Sequence, residues 1–533
     1  MQIARIGGGS VEQYPADMVG AKAANLARMA ALGLPVPPAF VLPIALCAAI
    51  ADGDGKALQK VADLLAEGIA FLEQATDKKF GDRRRPLLVS VRSGAERSMP
   101  GMLDTVLDVG CTSAAVRGLV RATGHPRFAL DCRRRFLESY GDVVLGIDAA
   151  AFAAKRNGLL AAEKLASEGD FDCDTLEHLV KAYERVIEDE DDVLSESPME
   201  QLEAAAHAVF RSWTSDRART YRRLQHFDDL QGTAVTVQAM VFGNGGLSSG
   251  AGVAFSRDPS TGAAVPVIDV LFDSQGEDVV SGSHNPQTEG AIARALPEVA
   301  KQLREALQRL EQDFRDMQDV EFTIENGKLW ILQTRSAKRT PQAALRLAID
   351  FVHEGRITPV EALQRLDGVN LATLTKQKLV IADAPVAHGT GATGGIAVGR
   401  AAFDPDSAAR LAASGAPVIL VRPDTTTADV GGFAVSKGIV TAVGGRTAHA
   451  ALVARQLGVP CIVGCSALVV DVAGRTARLA QATLKEGDWL SIDGESGAIY
   501  LGQGSVVAER PEAELAEVER WRQSLRSATS SIS

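Results

Sequence analysis

His449 has the sequence setting that most invites chemistry. It stands in GGRTAHAALVARQLGVP (444–460), just after the strand-like run GIVTAV. Two glycines release the chain there, Thr447 is placed to cap a helix, and His449 falls in that helix's first turn before Gly458 and Pro460 close it. A helix N-terminus offers free N–H groups and positive potential, so a phosphate on the imidazole would be held there. The neutral ring nitrogen is also a competent nucleophile. Taken alone, a histidine at a helix start is more often a cap or a surface residue.

Three further groups of residues have the chemistry of phosphate handling. In PLLVSVRSGAERSMPGMLDTVLDVG (86–110), a strand delivers Arg92 into a long loop with Gly101 and Thr105 near its tip. Such a loop suits cradling of an anion by backbone N–H groups, although it is no Walker A sequence and a Gly/Ser loop after a strand is usually only a turn. Lys22, in VGAKAANLARMAALG, is expected at a helix start, where a cation is disfavoured unless an anion is nearby. An ordinary solvated lysine fits as well. Glu321 and Gln333 lie on the polar face of the hairpin DVEFTIENGKLWILQTR, with Asp319 and Arg335, and offer oxygen ligands of the kind Mg²⁺ shares with phosphates. A solvated sheet face is the competing reading.

Two matches are set aside. GTGATGGIAVG (389–399) contains GxGxxG, but strand-like rather than helical sequence follows it, so a dinucleotide site fails its context. The triplets Arg83-Arg84-Arg85 and Arg133-Arg134-Arg135 have no interleaved aromatic platform for nucleic acid.

The elements that must position these residues read as α/β and α+β, in several domains. A chain of 533 residues exceeds one hydrophobic core. Up to about residue 110 short apolar runs alternate with amphipathic segments. Residues 111–230 carry apolar residues at helical spacing and an acidic run, IEDEDDVLSESPMEQLE, expected to be a solvated helix end and loop. Strand signals return in AVTVQAMVF, GVAFSRDP and VIDVLFD. The hairpin turn at Glu325-Asn326-Gly327-Lys328 is expected to be a three-residue bulged loop, which sets Val320 opposite Leu332 and Phe322 opposite Trp330. Residues 341–380 read as a helical linker, 381–510 as an α/β unit, and 511–533 as one helix with a disordered Ser-rich end.

The formal net charge of −11 argues against a nucleic-acid surface spread over the protein. The six cysteines lack zinc-site spacing and are expected to be buried small hydrophobes. No apolar leader and no run of about 20 apolar residues is seen, so the expectation is a cytoplasmic protein with no membrane partner.

Read with their full wording, these segments resemble the pyruvate, phosphate dikinase family. The resemblance runs through GAKAANLARMAALGLPVPPAF, LLVSVRSGAERSMPGMLDTVL, RFALDCRRRF, GTAVTVQAMVFGN, GVAFSRDPSTG, QGEDVVSG, DVEFTIENGKLWILQTR, GGRTAHAALVAR and PCIVGC, nearly the whole chain. It implies an ATP-grasp nucleotide-binding domain over 1–340, with a helical insertion at about 111–230, followed by a swivelling phosphohistidine α/β domain over 381–510. It also implies that Lys22, Arg92 and Arg335 contact nucleotide phosphates, that the loop with Gly101 and Thr105 covers them, that Glu321 and Gln333 sit near Mg²⁺, that Arg135 contacts the phosphate co-substrate, and that His449 accepts phosphate. The expected partners are ATP, inorganic phosphate, a separate pyruvate-binding barrel protein and a second copy of the chain.

The sequence departs from the family pattern in places. The family continues into a (β/α)₈ barrel that binds pyruvate, whereas this sequence ends after one helix. Arg446 and Ala448 stand where the family usually has Met and Ser, and Arg446 is expected to place a cation beside the phosphohistidine. The SMPGMLDTVL wording favours the phosphate-dependent dikinase over the water-using phosphoenolpyruvate synthase. A self-contained phosphotransferase acting on another small acceptor and a non-catalytic ATP-binding regulatory relic remain as alternatives.

Overall fold

Short β-branched runs bounded by glycine, proline and asparagine form the strands, and amphipathic segments with Ser, Thr or Asp caps form the helices. The structure, a computed structural model, describes residues 2–530 except Ser98, residues 100–102, Ala166, residues 191–192, Asp228, residues 282–284, residues 426–428 and Thr447. By compactness the chain divides into two units, Met1–Val241 with Trp330–Gln333, and Phe242–Leu329 with Thr334–Ser533.

The first unit is built on a five-stranded sheet ordered Ala4–Ile6, Ala39–Leu42, Ala234–Ala239, Val89–Gly94, Thr105–Val109. Every pairing in it is antiparallel. The segment between Val109 and Ala234 is helical, from Ser113–Thr123 to Asp216–Leu224. Asp148, Asp172, Ser197 and Ser215 each accept a first-turn N–H, satisfying donors that the helix itself cannot pair. The acidic run is only partly the solvated loop expected of it. Glu196 accepts hydrogen bonds from the backbone N–H and hydroxyl of Ser113, at 2.8 and 3.2 Å, and pairs with Arg133.

Arg133 and Arg134 are buried at 4% exposure, held by Glu184, Glu196, Asp131 and Glu138. Their triplet is therefore internal ion pairing. Five of the six cysteines are buried, as expected of small apolar side chains, and Cys173 is half-buried.

The second unit contains two larger sheets. One is ordered Gln287–Thr288, Val267–Phe272, Gly250–Phe255, Gln318–Glu325, Lys328–Ser336. Its hairpin corrects the expected turn. The strands end at Glu325 and resume at Lys328, and both intervening residues have positive φ, 51° at Asn326 and 75° at Gly327. That is the two-residue turn whose twist matches the flanking strands, with no bulge. Leu329 and Ile331, treated as exceptions in the bulged register, are buried.

The other sheet has eight strands, with a parallel core of Ile396–Ala402, Val418–Arg422, Gly438–Thr441 and Cys461–Val463. The GxGxxG stretch forms strand Thr390–Thr393 and runs on into strand Ile396–Ala402, so no helix follows the glycines. A two-stranded ribbon, Lys376–Val380 with Ser505–Glu509, joins this α/β part to helices Pro341–His353 and Pro359–Arg365. Helix Glu512–Ser530 packs back onto them through Leu515, Val518 and Trp521. It reaches Ser530, past the expected start of the Ser-rich end, and residues 531–533 lie outside the described residues. None of the described helices is long and apolar enough to cross a membrane.

Candidate functional site

In the first unit, the sheet and a helix start converge on Arg92. Arg92 pairs in register with Thr105 on one side and Thr236 on the other. Helix Ala21–Ala31 begins beside the end of this strand, because Ala21 donates its N–H to Ala95 O at 2.9 Å. The approach is so close that a Cβ on Gly20 would lie 2.2 Å from Gly94 O, and Gly20 has φ +82°. Lys22 is therefore the second residue of a helix whose N-terminus is seated against the strand that carries Arg92, and its side chain is exposed.

The Arg92 Nε is buried without a hydrogen-bond partner among the described residues, as is Thr236 Oγ1. Buried donors are normally satisfied, so an anionic ligand suits this place. Gly101 lies outside the described residues. Thr105 is half-buried at the start of its strand.

Arg135, on helix Pro126–Tyr140, donates through Nε to Asp131 Oδ2 at 3.0 Å. Burial would raise the Asp131 carboxyl, but Arg135 and Arg134 outweigh it and hold it well below the usual carboxylate range. Gln333 is buried at 9% exposure on its strand.

In the second unit, one sheet face gathers carboxylates. Val253 is flanked in register by Asp269 and Glu321, and Phe255 by Val267 and Asp319, so Asp269, Asp319 and Glu321 share a face. Arg335 donates through Nε to Asp319 Oδ2 at 2.8 Å, while the buried Oδ1 has no partner among the described residues. Burial raises the Asp319 carboxyl, and Arg335 pulls it partly back. A hard cation fits here, because Asp319 Oδ1 and the half-buried Glu321 are oxygen donors two positions apart on one strand. No group of three or more His, Cys, Asp or Glu with metal-holding geometry occurs among the described residues. Two oxygen donors on one strand are a set that Mg²⁺ can use, since it takes few protein ligands and keeps waters or phosphate oxygens.

His449 opens helix His449–Leu457. Its N-cap is Ala448 with no side-chain cap bond, one residue later than the expected cap Thr447, which lies outside the described residues. The imidazole is half-buried 6.0 Å from the Phe433 ring, and its buried Nε2 has no partner among the described residues. Asp424 is close enough for His449 to act on its carboxyl, which burial raises and His449 lowers.

The loop before the histidine is fastened to the carboxylate sheet. Gly444 N–H donates to Asn285 Oδ1 at 2.9 Å, and Arg446 N–H to Asp269 Oδ2 at 2.6 Å. The Arg446 side chain donates to Gly391 O and reaches within 3.9 Å of Asp269. Its side chain thus has partners on strand Thr390–Thr393 and on the carboxylate sheet. Asp269, Asn285 and Asp424 escaped sequence reasoning. Only Asp269 carried a signal, an acid inside the apolar run VIDVLF.

Residues 57–297 and 289–355 match the family model described as pyruvate phosphate dikinase, AMP/ATP-binding domain. Residues 415–497 match that described as PEP-utilising enzyme, mobile domain. The pyruvate, phosphate dikinase of Clostridium symbiosum is 41% identical over 492 residues, covering 91% of this chain and 56% of its own length. That of Rhizobium meliloti is 41% identical over 535 residues, covering 96% and 59%. The chloroplastic enzyme of Flaveria trinervia is 40% identical over 493 residues, covering 91% and 52%. The chain thus spans about half the length of the curated relatives it matches.

Proposed function

The chain belongs to the pyruvate, phosphate dikinase family, and on that premise we propose that it takes phosphate from ATP onto His449. The reading is carried by the His449 imidazole, whose buried Nε2 has no partner among the described residues, at a helix N-terminus on a loop bonded to the sheet that bears Asp319 and Glu321. An imidazole nitrogen set where N–H groups and helix potential receive an anion has what phosphoryl capture requires.

In this proposal Nε2 attacks a phosphorus of ATP, the bond to the AMP oxygen breaks, and a pyrophosphoryl-histidine forms. Inorganic phosphate then takes the terminal phosphoryl group, leaving phosphohistidine and pyrophosphate. Lys22, Arg92 and Arg335 neutralise the phosphate oxygens, the loop with Gly101 and Thr105 covers them, and Arg135 receives inorganic phosphate. Glu321, Gln333 and Asp319 hold Mg²⁺, which would supply further charge neutralisation. The unpartnered Arg92 Nε and Asp319 Oδ1 support the two binding roles.

The 1–340 region serves as the ATP-grasp domain and 381–510 as the swivelling domain, moving about the ribbon Lys376–Val380 with Ser505–Glu509. Phosphohistidine then passes its phosphoryl group to pyruvate or another acceptor on a separate protein.

The test is intact-protein mass after incubation with ATP, Mg²⁺ and phosphate, together with an AMP assay. A phosphate-sized or pyrophosphate-sized gain that His449→Ala abolishes is expected. No mass gain and no AMP would overturn the proposal.

A further inference from the structure

Arg455 lies in helix His449–Leu457, one and two-thirds turns beyond the histidine, and is buried at 6% exposure. A buried guanidinium is tolerated only when partners replace its water. Within its own α/β part it finds two carbonyls, donating through Nη2 to Ala392 O at 3.0 Å and to Arg446 O at 3.2 Å. Its Nε is left buried without a partner among the described residues.

The rest of its surroundings belong to the carboxylate sheet. The guanidinium carbon lies 5.5 Å from the centre of the Phe255 ring. The carboxylates that act on its charge are Asp319, Asp258 and Asp269, and none comes from the part of the chain that carries His449. Desolvation lowers the Arg455 pKa, and those acids, with the Cys461 thiol, oppose it.

We infer that Arg455 is a positioning residue that fastens the His449 loop to the carboxylate sheet, one end tied to Arg446 and the other seated over Phe255 of that sheet. The inference rests on the reading of His449 as the phosphate acceptor. Its physical basis is that burial of the charge is partly offset across the seam, where the Phe255 ring meets it. When the two surfaces meet, the cation loses water and gains acids and an aromatic face. When they part, it regains water. That exchange of water for acids and a ring suits a contact that must form and release in each cycle.

The experiment compares full-length wild type with Arg455→Met, Arg455→Lys and, from the other side of the seam, Asp269→Ala. Hydrogen exchange of the proteins without nucleotide is read at 444–457 and at 267–272, and AMP formation is measured as separate kcat and KM for ATP. The expected result for Arg455→Met and Asp269→Ala is faster exchange on both segments and a fall in kcat of about 10- to 100-fold at unchanged KM, as a misplaced nucleophile gives. Arg455→Lys recovers part of both, since it keeps the charge and loses the planar fork.

If Arg455→Met speeds exchange only within 444–463, leaves 267–272 protected and keeps wild-type kcat, the residue merely supports its own helix and the inference fails. Should the wild type make no AMP, the phosphate-acceptor reading fails, while exchange at 267–272 still decides whether Arg455 fastens the two surfaces.

Discussion

Replacing Gly445 with alanine tests the seating of the histidine loop without touching a reactive group. A Cβ at this position would lie 2.3 Å from Pro286 Cγ, 2.8 Å from Asp269 Oδ2 and 3.0 Å from Pro286 Cδ. All three atoms belong to the surface on which the loop rests, and none to the α/β part that contains Gly445. Gly445 is not among the glycines with positive φ, so alanine is compatible with the local backbone.

The substitution therefore leaves the α/β part folded and penalises only its contact with the sheet. Overpacking of this kind costs about 1–3 kcal/mol, which lowers the seated population about 5- to 150-fold relative to the unseated one. Phosphohistidine formation, followed by rapid quench with ATP, Mg²⁺ and phosphate, should slow by that factor once the contact is less than half populated. Exchange at 267–272 and 285–289 should rise in parallel, with the melting temperature nearly unchanged. A wild-type rate with wild-type exchange would refute the reasoning, because this contact would then not be the arrangement in which His449 reacts.

Gly20→Ala forces a side chain into a backbone region open almost only to glycine, against Gly94 O at 2.2 Å, and should cost on the order of 3 kcal/mol in chemical denaturation. Asp131→Ala strips Arg134 and Arg135 of their shared carboxylate and should destabilise the chain by about 3–5 kcal/mol. Because the folded Asp131 carboxyl sits below its unfolded value, its contribution is present above the unfolded pKa and lost as pH falls through the folded one. The difference between wild type and variant in melts taken at decreasing pH should therefore narrow only in strong acid. Asp319 behaves oppositely. Burial raises its carboxyl, so protonation competes with Mg²⁺ at higher pH than at an exposed acid, and Mg²⁺ affinity measured by calorimetry should weaken as pH drops toward that raised value.

Local chemistry was legible where the signal is contained in a short stretch of chain. The helix start at His449, the strand carrying Arg92, the helix carrying Lys22 and the polar hairpin strand with Asp319 and Glu321 were all readable from spacing and breakers. The hairpin register was misread because apolar pairing was used to choose between two turns. The backbone twist at Asn326-Gly327 decides that choice, and it sends Leu329 and Ile331 inward. The last helix was read as ending too early, since it reaches Ser530. Propensity alone disfavours a helix there, but Leu515, Val518 and Trp521 gain burial on Pro341–His353 and Pro359–Arg365 and anchor the helix that runs on to Ser530.

By itself the sequence determined the family and the elements on which the candidate site residues ride, because motifs and periodicity are properties of neighbouring residues. Only the tertiary structure decided that Asp269 and Asn285 hold the histidine loop, that the Arg446 N–H takes part in that contact, and that Arg455 meets Phe255, 200 residues away in the chain. Those pairings join segments with no shared pattern, and desolvation and charge act through space, so they become visible only when folding brings the partners together.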